Sequence, residues 1–381
     1  MYIKREIEKE VKTLAREFPI VVLLGPRQSG KTTLSQHLFK NYKYVSLEDF
    51  DIRDLAKNDP RKFFEEFPNK VIIDEIQRAP KLFSYLQTHS DKLNKSGQFI
   101  ITGSQNYLLM KNISQSLAGR VGIATLLPFS YSEINKKIGL DRILYSGFYP
   151  RLHTRRIRPH NFYQSYVDTY LERDIRSFAN IEQYDVFKKF LIALSGRTGQ
   201  ILNKTSLAAE CGISRETISQ WLNILEISYV IFRLPSFHKN YKKQIIKSSK
   251  IFFYDVGLVC YLLGIKSVEQ VKNHYLRGNI FETMVINEFY KNNFNLGKGY
   301  NFYYWRDKKG RELDLVFEKG MEKYGVEIKS GQTMRKDFFK NLQYWEKMDN
   351  NNKGVLIYDG ELEMTKGKKI AYNWRNLGKI L

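Results

Sequence analysis

The segment Gly25-Pro-Arg-Gln-Ser-Gly-Lys31-Thr32 follows the apolar run Ile20-Val-Val-Leu-Leu24 and leads into Thr32–Lys40, which reads as a helix start. It satisfies the pattern G-x-x-x-x-G-K-[ST] in the strand–loop–helix context that this pattern requires. Few other features restrict a fold so tightly. A buried strand must end at a glycine turn, and a helix must begin with free backbone N–H groups aimed at one point. That point is an anion site, because the N–H groups and the helix dipole both favour negative charge. The residues Gly25, Pro26, Arg27, Gln28, Ser29, Gly30, Lys31, Thr32 and Thr33 are therefore candidates to cradle a nucleotide. Lys31 would reach the β- and γ-phosphate oxygens, and the Thr32 hydroxyl would hold Mg²⁺.

Such a loop needs a second element that brings carboxylates to the phosphates. Val71-Ile-Ile-Asp74-Glu75 has three β-branched residues followed by two acids. This reads as a buried parallel strand with Asp74 and Glu75 at its C-terminal end, where open α/β sheets bind ligands. Asp74 would orient Mg²⁺, and Glu75 would act on the attacking water. ATP and Mg²⁺ are the expected cofactors. A third strand, Gln98–Thr102, runs into Gly103-Ser104-Gln105-Asn106. Ser104 is the chosen contact for the γ-phosphate or the water, with Gln105 and Asn106 as alternatives. Arg120, after the turn at Gly119, is the candidate arginine for transition-state charge, the alternative being a structural arginine paired with a carboxylate. It would act in cis, or in trans from a neighbouring copy in a homo-oligomer.

These elements, in this order, resemble the prokaryotic AAA-type ATPases. Leu127-Pro-Phe-Ser-Tyr-Ser-Glu133, Gly147-Phe-Tyr-Pro150 and Tyr170-Leu-Glu-Arg-Asp174 extend the resemblance to members with a C-terminal domain of unknown function built on a nuclease-like core. The resemblance implies an AAA+-like fold and nucleotide binding. No second-sensor arginine in a helical lid stands out.

The chain of 381 residues has room for two or three domains. We divide it into an α/β P-loop ATPase domain over 1–180, a winged-helix domain over 181–240 and an α/β restriction-endonuclease-like domain over 241–381. In the middle segment, Val186–Leu194 is amphipathic, Asn203–Glu210 reads as a helix, Cys211-Gly-Ile-Ser214 as a turn, and Arg215–Leu225 as a further helix capped by Ser214. Tyr229–Leu234 reads as the strand of a wing. In a DNA-binding version, Arg215, Thr217, Ser219 and Gln220 face the nucleic acid. The basic stretch His238–Lys243, with Lys247 and Lys250, would follow a phosphate backbone or form a solvated linker.

In the last segment, Phe281–Phe289 is helical and carries Glu282 near its start. Glu312–Phe317 and Tyr324–Lys329 alternate as the two strands of a hairpin around Lys319-Gly320. Glu327 and Lys329 are two residues apart and share a face. Asp314, the pair Glu327-x-Lys329 and the helical Glu282 resemble the PD-(D/E)XK nuclease core. The resemblance implies Mg²⁺ on Asp314, Glu327 and Glu282, with Lys329 stabilising developing charge.

A net charge of +22, from 62 Lys and Arg against 40 Asp and Glu, favours an anionic partner. DNA or RNA is preferred over a membrane surface. Two cysteines, Cys211 and Cys260, argue against a disulfide framework or a cysteine zinc site. No run is long and apolar enough to span a bilayer, and the charged start lacks a signal segment, so a cytoplasmic protein is expected. An ATP-coupled nucleic-acid binder or nuclease competes with an ATP-controlled switch acting on a protein partner. A metabolic kinase is disfavoured, since neither later segment serves a small acceptor.

Overall fold

The computed structural model describes residues 2–103, 106–134, 137–171, 184–237, 249–366 and 369–380. The sequence-based candidates Ser104 and Gln105, the Glu172-Arg173-Asp174 part of the third motif, and the basic residues His238–Lys243 and Lys247 lie outside them.

Strands β1 (Ile20–Leu24), β2 (Lys43–Ser46), β3 (Val71–Asp74), β4 (Phe99–Thr102) and β5 (Val121–Thr125) form one sheet in the order β2-β3-β4-β1-β5. All neighbours are parallel. The strands are apolar throughout because both faces are covered. Ile20, Val22, Ile73 and Ile101 pack towards Phe63, Leu82 and Leu109, whereas Val21, Leu23, Ile72 and Ile100 pack towards Val11 and Leu34. The register pairs Leu23 with Thr102 and Ile73 with Ile101. The C-terminal ends of β1, β3 and β4 therefore meet at one edge, and β4 separates the two strands that carry the phosphate loop and the acids.

Helices Tyr184–Ser195, Lys204–Cys211 and Arg215–Ile227 pack on a small antiparallel sheet of β6 (Gln200–Ile201), β7 (Ile231–Leu234) and β8 (Lys250–Phe253), in the order β6-β8-β7. Ser214 Oγ accepts from Thr217 N at 3.0 Å and caps the third helix as expected. Trp221 on that helix packs its ring 5.2 Å from both Phe187 and Phe190. Because β8 is the central strand of this sheet, the middle unit reaches past residue 240, where the sequence reading closed it.

The last unit has the long helix Arg277–Asn295, then β9 (Phe302–Arg306), β10 (Glu312–Lys319), β11 (Glu322–Lys329), helix Lys340–Met348, β12 (Asn352–Tyr358), β13 (Met364–Lys366) and β14 (Lys369–Asn373). The sheet order is β13-β14-β12-β11-β10-β9. The β10–β11 hairpin is in the expected place, with Leu315 opposite Val326 and Lys319 opposite Glu322. Strand β12 then joins β11 in parallel. Leu315, Phe317, Val326 and Ile328 belong to the core that includes Ile280, Met284 and Phe289 of the long helix. Val316 and Leu356 pack on the other side with Leu342 and Trp345.

This core is continuous from Leu127 to Ile380 and is distinct from the two clusters flanking the first sheet. The segment after β5 thus docks on the later units. Buried Asp255 accepts from Phe148 N at 2.8 Å, Tyr163 Oη at 2.6 Å and Leu258 N at 3.0 Å. Gly147 permits that approach. Its φ is +66°, and a Cβ there would stand 2.2 Å from Tyr163 Oη and 2.3 Å from Asp255 Oδ1. Among the described residues no helix is long and apolar enough to cross a membrane.

Candidate nucleotide site and a filled carboxylate cluster

The loop after β1 bends at Gly25, whose φ of +138° and position against Leu126 leave no room for a side chain. A Cβ would lie 2.1 Å from the Leu126 carbonyl oxygen. Gly30, with φ of +96°, precedes helix Lys31–Leu38. Lys31 is buried and its Nζ donates to the carbonyls of Gly25 at 2.9 Å and Pro26 at 2.8 Å. The ammonium thus lies inside the loop. Arg5, on the N-terminal segment, fastens the loop from behind. It donates from Nη1 to Ser29 O at 2.9 Å, from Nη2 to Leu127 O at 2.7 Å and from Nε to Glu133 Oε1 at 3.0 Å.

Asp74 ends β3 beside this loop. Its Oδ2 accepts from Thr32 Oγ1 at 2.9 Å and from the Tyr44 hydroxyl at 2.9 Å. Its Oδ1 accepts from Thr102 Oγ1 and from Glu75 N, the latter at 3.1 Å. Burial, followed by the Asp74 charge, pushes the Tyr44 hydroxyl up to about 12, so it stays a donor. Glu75 has a left-handed φ of +57°. That conformation costs a non-glycine residue about 1 kcal/mol or more and often marks a functional position. Gln77 Nε2 donates to Glu75 Oε2 and fixes its carboxylate.

Together these residues line a cavity of about 590 Å³ that includes Arg27–Thr33, Asp74 and Glu75. They fit a Mg²⁺–triphosphate on grounds beyond the motif. Ser29 Oγ and Gln28 Oε1 are buried in the loop with no hydrogen-bond partner. Thr32 and Asp74, already in contact, are the pair that would hold the metal.

Sequence reasoning missed several members of this site. Tyr44 and Thr102 reach Asp74 through strand order, and Arg5 comes from the N-terminal segment. Arg151 and Arg155, at helix Pro150–Thr154 and just after it, also line the cavity. Their nearest signal was Gly147-Phe-Tyr-Pro150, whose Pro150 starts the helix that carries Arg151. Arg120 does not line this cavity. It pairs with Asp91 at 2.6 Å and 2.9 Å, and its backbone oxygen accepts from Ile20 N at the start of β1. The phosphate loop follows the other end of β1, roughly 15 Å along the strand. No γ-phosphate contact in cis is possible from there, and one in trans would require the Asp91 pair to open.

The C-terminal candidates Glu282, Asp314, Glu327 and Lys329 are brought together, and Glu327 Oε2 is buried there without a hydrogen-bond partner. The ammonium of Lys250, on β8, occupies their midst. Its Nζ lies 2.9 Å from Glu282 Oε1, 2.6 Å from Glu312 Oε1 and 3.6 Å from Asp314 Oδ1. Asp314 Oδ2 accepts from Ile328 N at 2.7 Å, and Lys329 Nζ lies 2.6 Å from Glu327 Oε1. Burial, then the Asp314 charge, pushes Glu282 up to about 8 and Glu327 up to about 7. Burial alone would lower the Lys250 ammonium, but the Glu282, Asp314 and Glu312 charges hold it above its ordinary value. Among the described residues no three His, Cys, Asp or Glu side chains are grouped to hold a metal. Lys250 places a positive charge among these carboxylates.

On helix Arg215–Ile227, Arg215 and Gln220 are exposed. Thr217 Oγ1 bonds Ser214 Oγ at 3.0 Å, and Ser219 Oγ accepts from Lys204 Nζ at 3.1 Å.

The strand order, the phosphate loop and the adjoining carboxylate define a P-loop nucleotide-binding domain. Comparison with known proteins agrees, since residues 17–135 match a family described as an AAA domain. This part of the chain is thus similar to AAA domains in sequence and carries the phosphate loop of a P-loop fold. Residues 139–269 and 277–377 match two domains of unknown function, DUF8612 and DUF4143. An uncharacterized protein of Mycobacterium tuberculosis is 28% identical over 333 residues, covering 87% of this chain and 74% of its own. An uncharacterized protein of Methanocaldococcus jannaschii is 26% identical, covering 93% of this chain and 87% of its own. Among solved structures, a Walker-type ATPase of Pyrococcus abyssi has 14% identity and a TM-score of 0.45, covering 68% of this chain and 96% of that one. AMPPCP-bound DnaA of Aquifex aeolicus has 14% identity and a TM-score of 0.29, covering 76% and 92%.

Proposed function

We propose that the chain is a Mg²⁺-dependent ATPase coupled to nucleic-acid binding. The observation that carries the ATPase reading is the contact of Thr32 with Asp74 at the mouth of the loop, with Glu75 next in sequence. Lys31 and the loop N–H groups would offset phosphate charge. Thr32 and Asp74 would hold a Mg²⁺ that neutralises and orients the phosphates. Glu75 would take the proton of a water as it attacks the γ-phosphorus, with the bond to the ADP oxygen breaking.

The nucleic-acid reading is supported by the net charge of +22. It is also supported by the middle unit, whose order of helix, strand, two helices and two strands suits a winged helix with Arg215, Thr217 and Gln220 on its third helix. The helix–three strands–helix–strand order from Arg277 to Tyr358 suits a nuclease-like fold. With Lys250 among its carboxylates, this unit acts in recognition and does not cut. The test is ATP hydrolysis with and without DNA and RNA, alongside Lys31→Ala. Hydrolysis that nucleic acid changes, and that Lys31→Ala removes, supports the proposal. Hydrolysis indifferent to every nucleic acid tested would favour a switch acting on a protein partner.

A further inference from the structure

Beside the nucleotide cavity lies a larger one of about 980 Å³, between the segment after helix Pro150–Thr154 and the turn before helix Val268–Asn273. Its lining includes Arg142, Arg155, Arg156, Arg158 and Lys266 against a single acid, Glu269. All five cations are exposed at the surface. Among the described residues none of the five makes an ion pair, although such pairs form elsewhere in the chain, and nearby Asp141 is engaged by Arg277 at 2.9 Å. Like charges left this close repel one another, and an anion spanning them relieves the repulsion.

We propose that this cavity seats the phosphodiester backbone of a single-stranded nucleic acid, an inference that rests on the nucleic-acid reading above. Four of the five cations are arginines, whose planar forks pair with phosphate oxygens two at a time. Two rings stand in the same lining. Tyr145 donates from its hydroxyl to Lys266 O at 2.8 Å, and His160 packs 5.3 Å from Tyr261. Such rings are platforms on which bases stack without sequence preference. Arg155 lines both cavities, so a strand here shares a side chain with the ATP site.

The test is binding of a fluorescein-labelled thymidine oligonucleotide, followed by anisotropy across a salt series. The variants are the triple substitution Arg156→Ala/Arg158→Ala/Lys266→Ala and, on the third helix of the middle unit, Arg215→Ala/Gln220→Ala. The triple variant is expected to bind at least about tenfold more weakly, with a salt slope shallower by about 2. Its affinity for a fluorescent ATP analogue should be unchanged, because none of the three residues lines the nucleotide cavity. Arg155→Ala is expected to weaken both ligands. If the wild type binds the strand and only the third-helix variant loses it, this cavity is not the site, although the nucleic-acid reading survives. If the wild type binds no nucleic acid, both fail. Displacement of the strand by polyglutamate at equal charge concentration would also overturn the assignment, since it would show a surface that reads charge and not phosphodiester.

Discussion

Replacing Lys250 by methionine keeps the aliphatic bulk of the side chain and removes its charge. In the folded protein Lys250 Nζ is 2.9 Å from Glu282, 2.6 Å from Glu312 and 3.6 Å from Asp314, and its side chain is only 3% exposed. Removing one partner from a buried ionic group costs about 3–5 kcal/mol when the others stay charged. The cost depends on pH. Glu282 is already pushed up to about 8, above its unfolded value. Such a group contributes stability that is present below its unfolded pKa and lost as pH rises through the folded one. Without Lys250 its folded pKa moves higher still. Near pH 5 Glu282 is protonated and the variant tolerates the loss. Near pH 8.5 the wild-type Glu282 is charged and paired with Lys250, whereas in the variant it has lost that partner.

Thermal unfolding followed by circular dichroism should therefore show Lys250→Met close to the wild type at pH 5. At pH 8.5 its midpoint should be lower by roughly 4–6 °C. Millimolar Mn²⁺ should restore part of the loss at pH 8.5, because the vacated position is surrounded by carboxylates. An equal shift at both pH values, or a larger one at pH 5, would refute the charge-compensation argument.

Thr102→Val removes a hydroxyl that holds Asp74 while keeping the shape of the side chain. The Mg²⁺ concentration for half-maximal ATP hydrolysis should rise roughly tenfold, measured by titration at saturating ATP. Gly147→Ala places a methyl group 2.2 Å from Tyr163 Oη at a φ of +66°. It should destabilise the protein by about 2–4 kcal/mol in urea unfolding.

Local features of the site were legible in the sequence, and contacts between distant segments were not. Gly25–Thr32 is contiguous, so its chemistry follows from spacing alone. Val71–Asp74 reveals itself through a run that only a strand buried on both faces would carry. The partners of Asp74 could not be read this way. Tyr44 and Thr102 meet it only because β3 lies between β2 and β4. For Arg120 the sequence leaves the choice between a phosphate contact and a structural ion pair open. Its position after β4 says nothing about which edge of the sheet it occupies. The acids of the last unit were recognised as a group, because Asp314, Glu327 and Lys329 lie on one hairpin. Lys250 reads in the sequence only as part of a basic stretch that follows a phosphate backbone or forms a linker, since it comes from a different sheet and the packing of two units brings it to the acids. Gly147 was noticed as part of a motif, but its reason, the close approach of Asp255, exists only in three dimensions.

The central claim is that this fold binds ATP at the Gly25–Thr32 loop and hydrolyses it through Glu75. Its most direct test is Glu75→Gln, with nucleotide affinity and single-turnover hydrolysis measured on the same preparation. The account predicts affinity within a few-fold of the wild type and a rate lower by a factor of about 100 or more. Hydrolysis at the wild-type rate would contradict it.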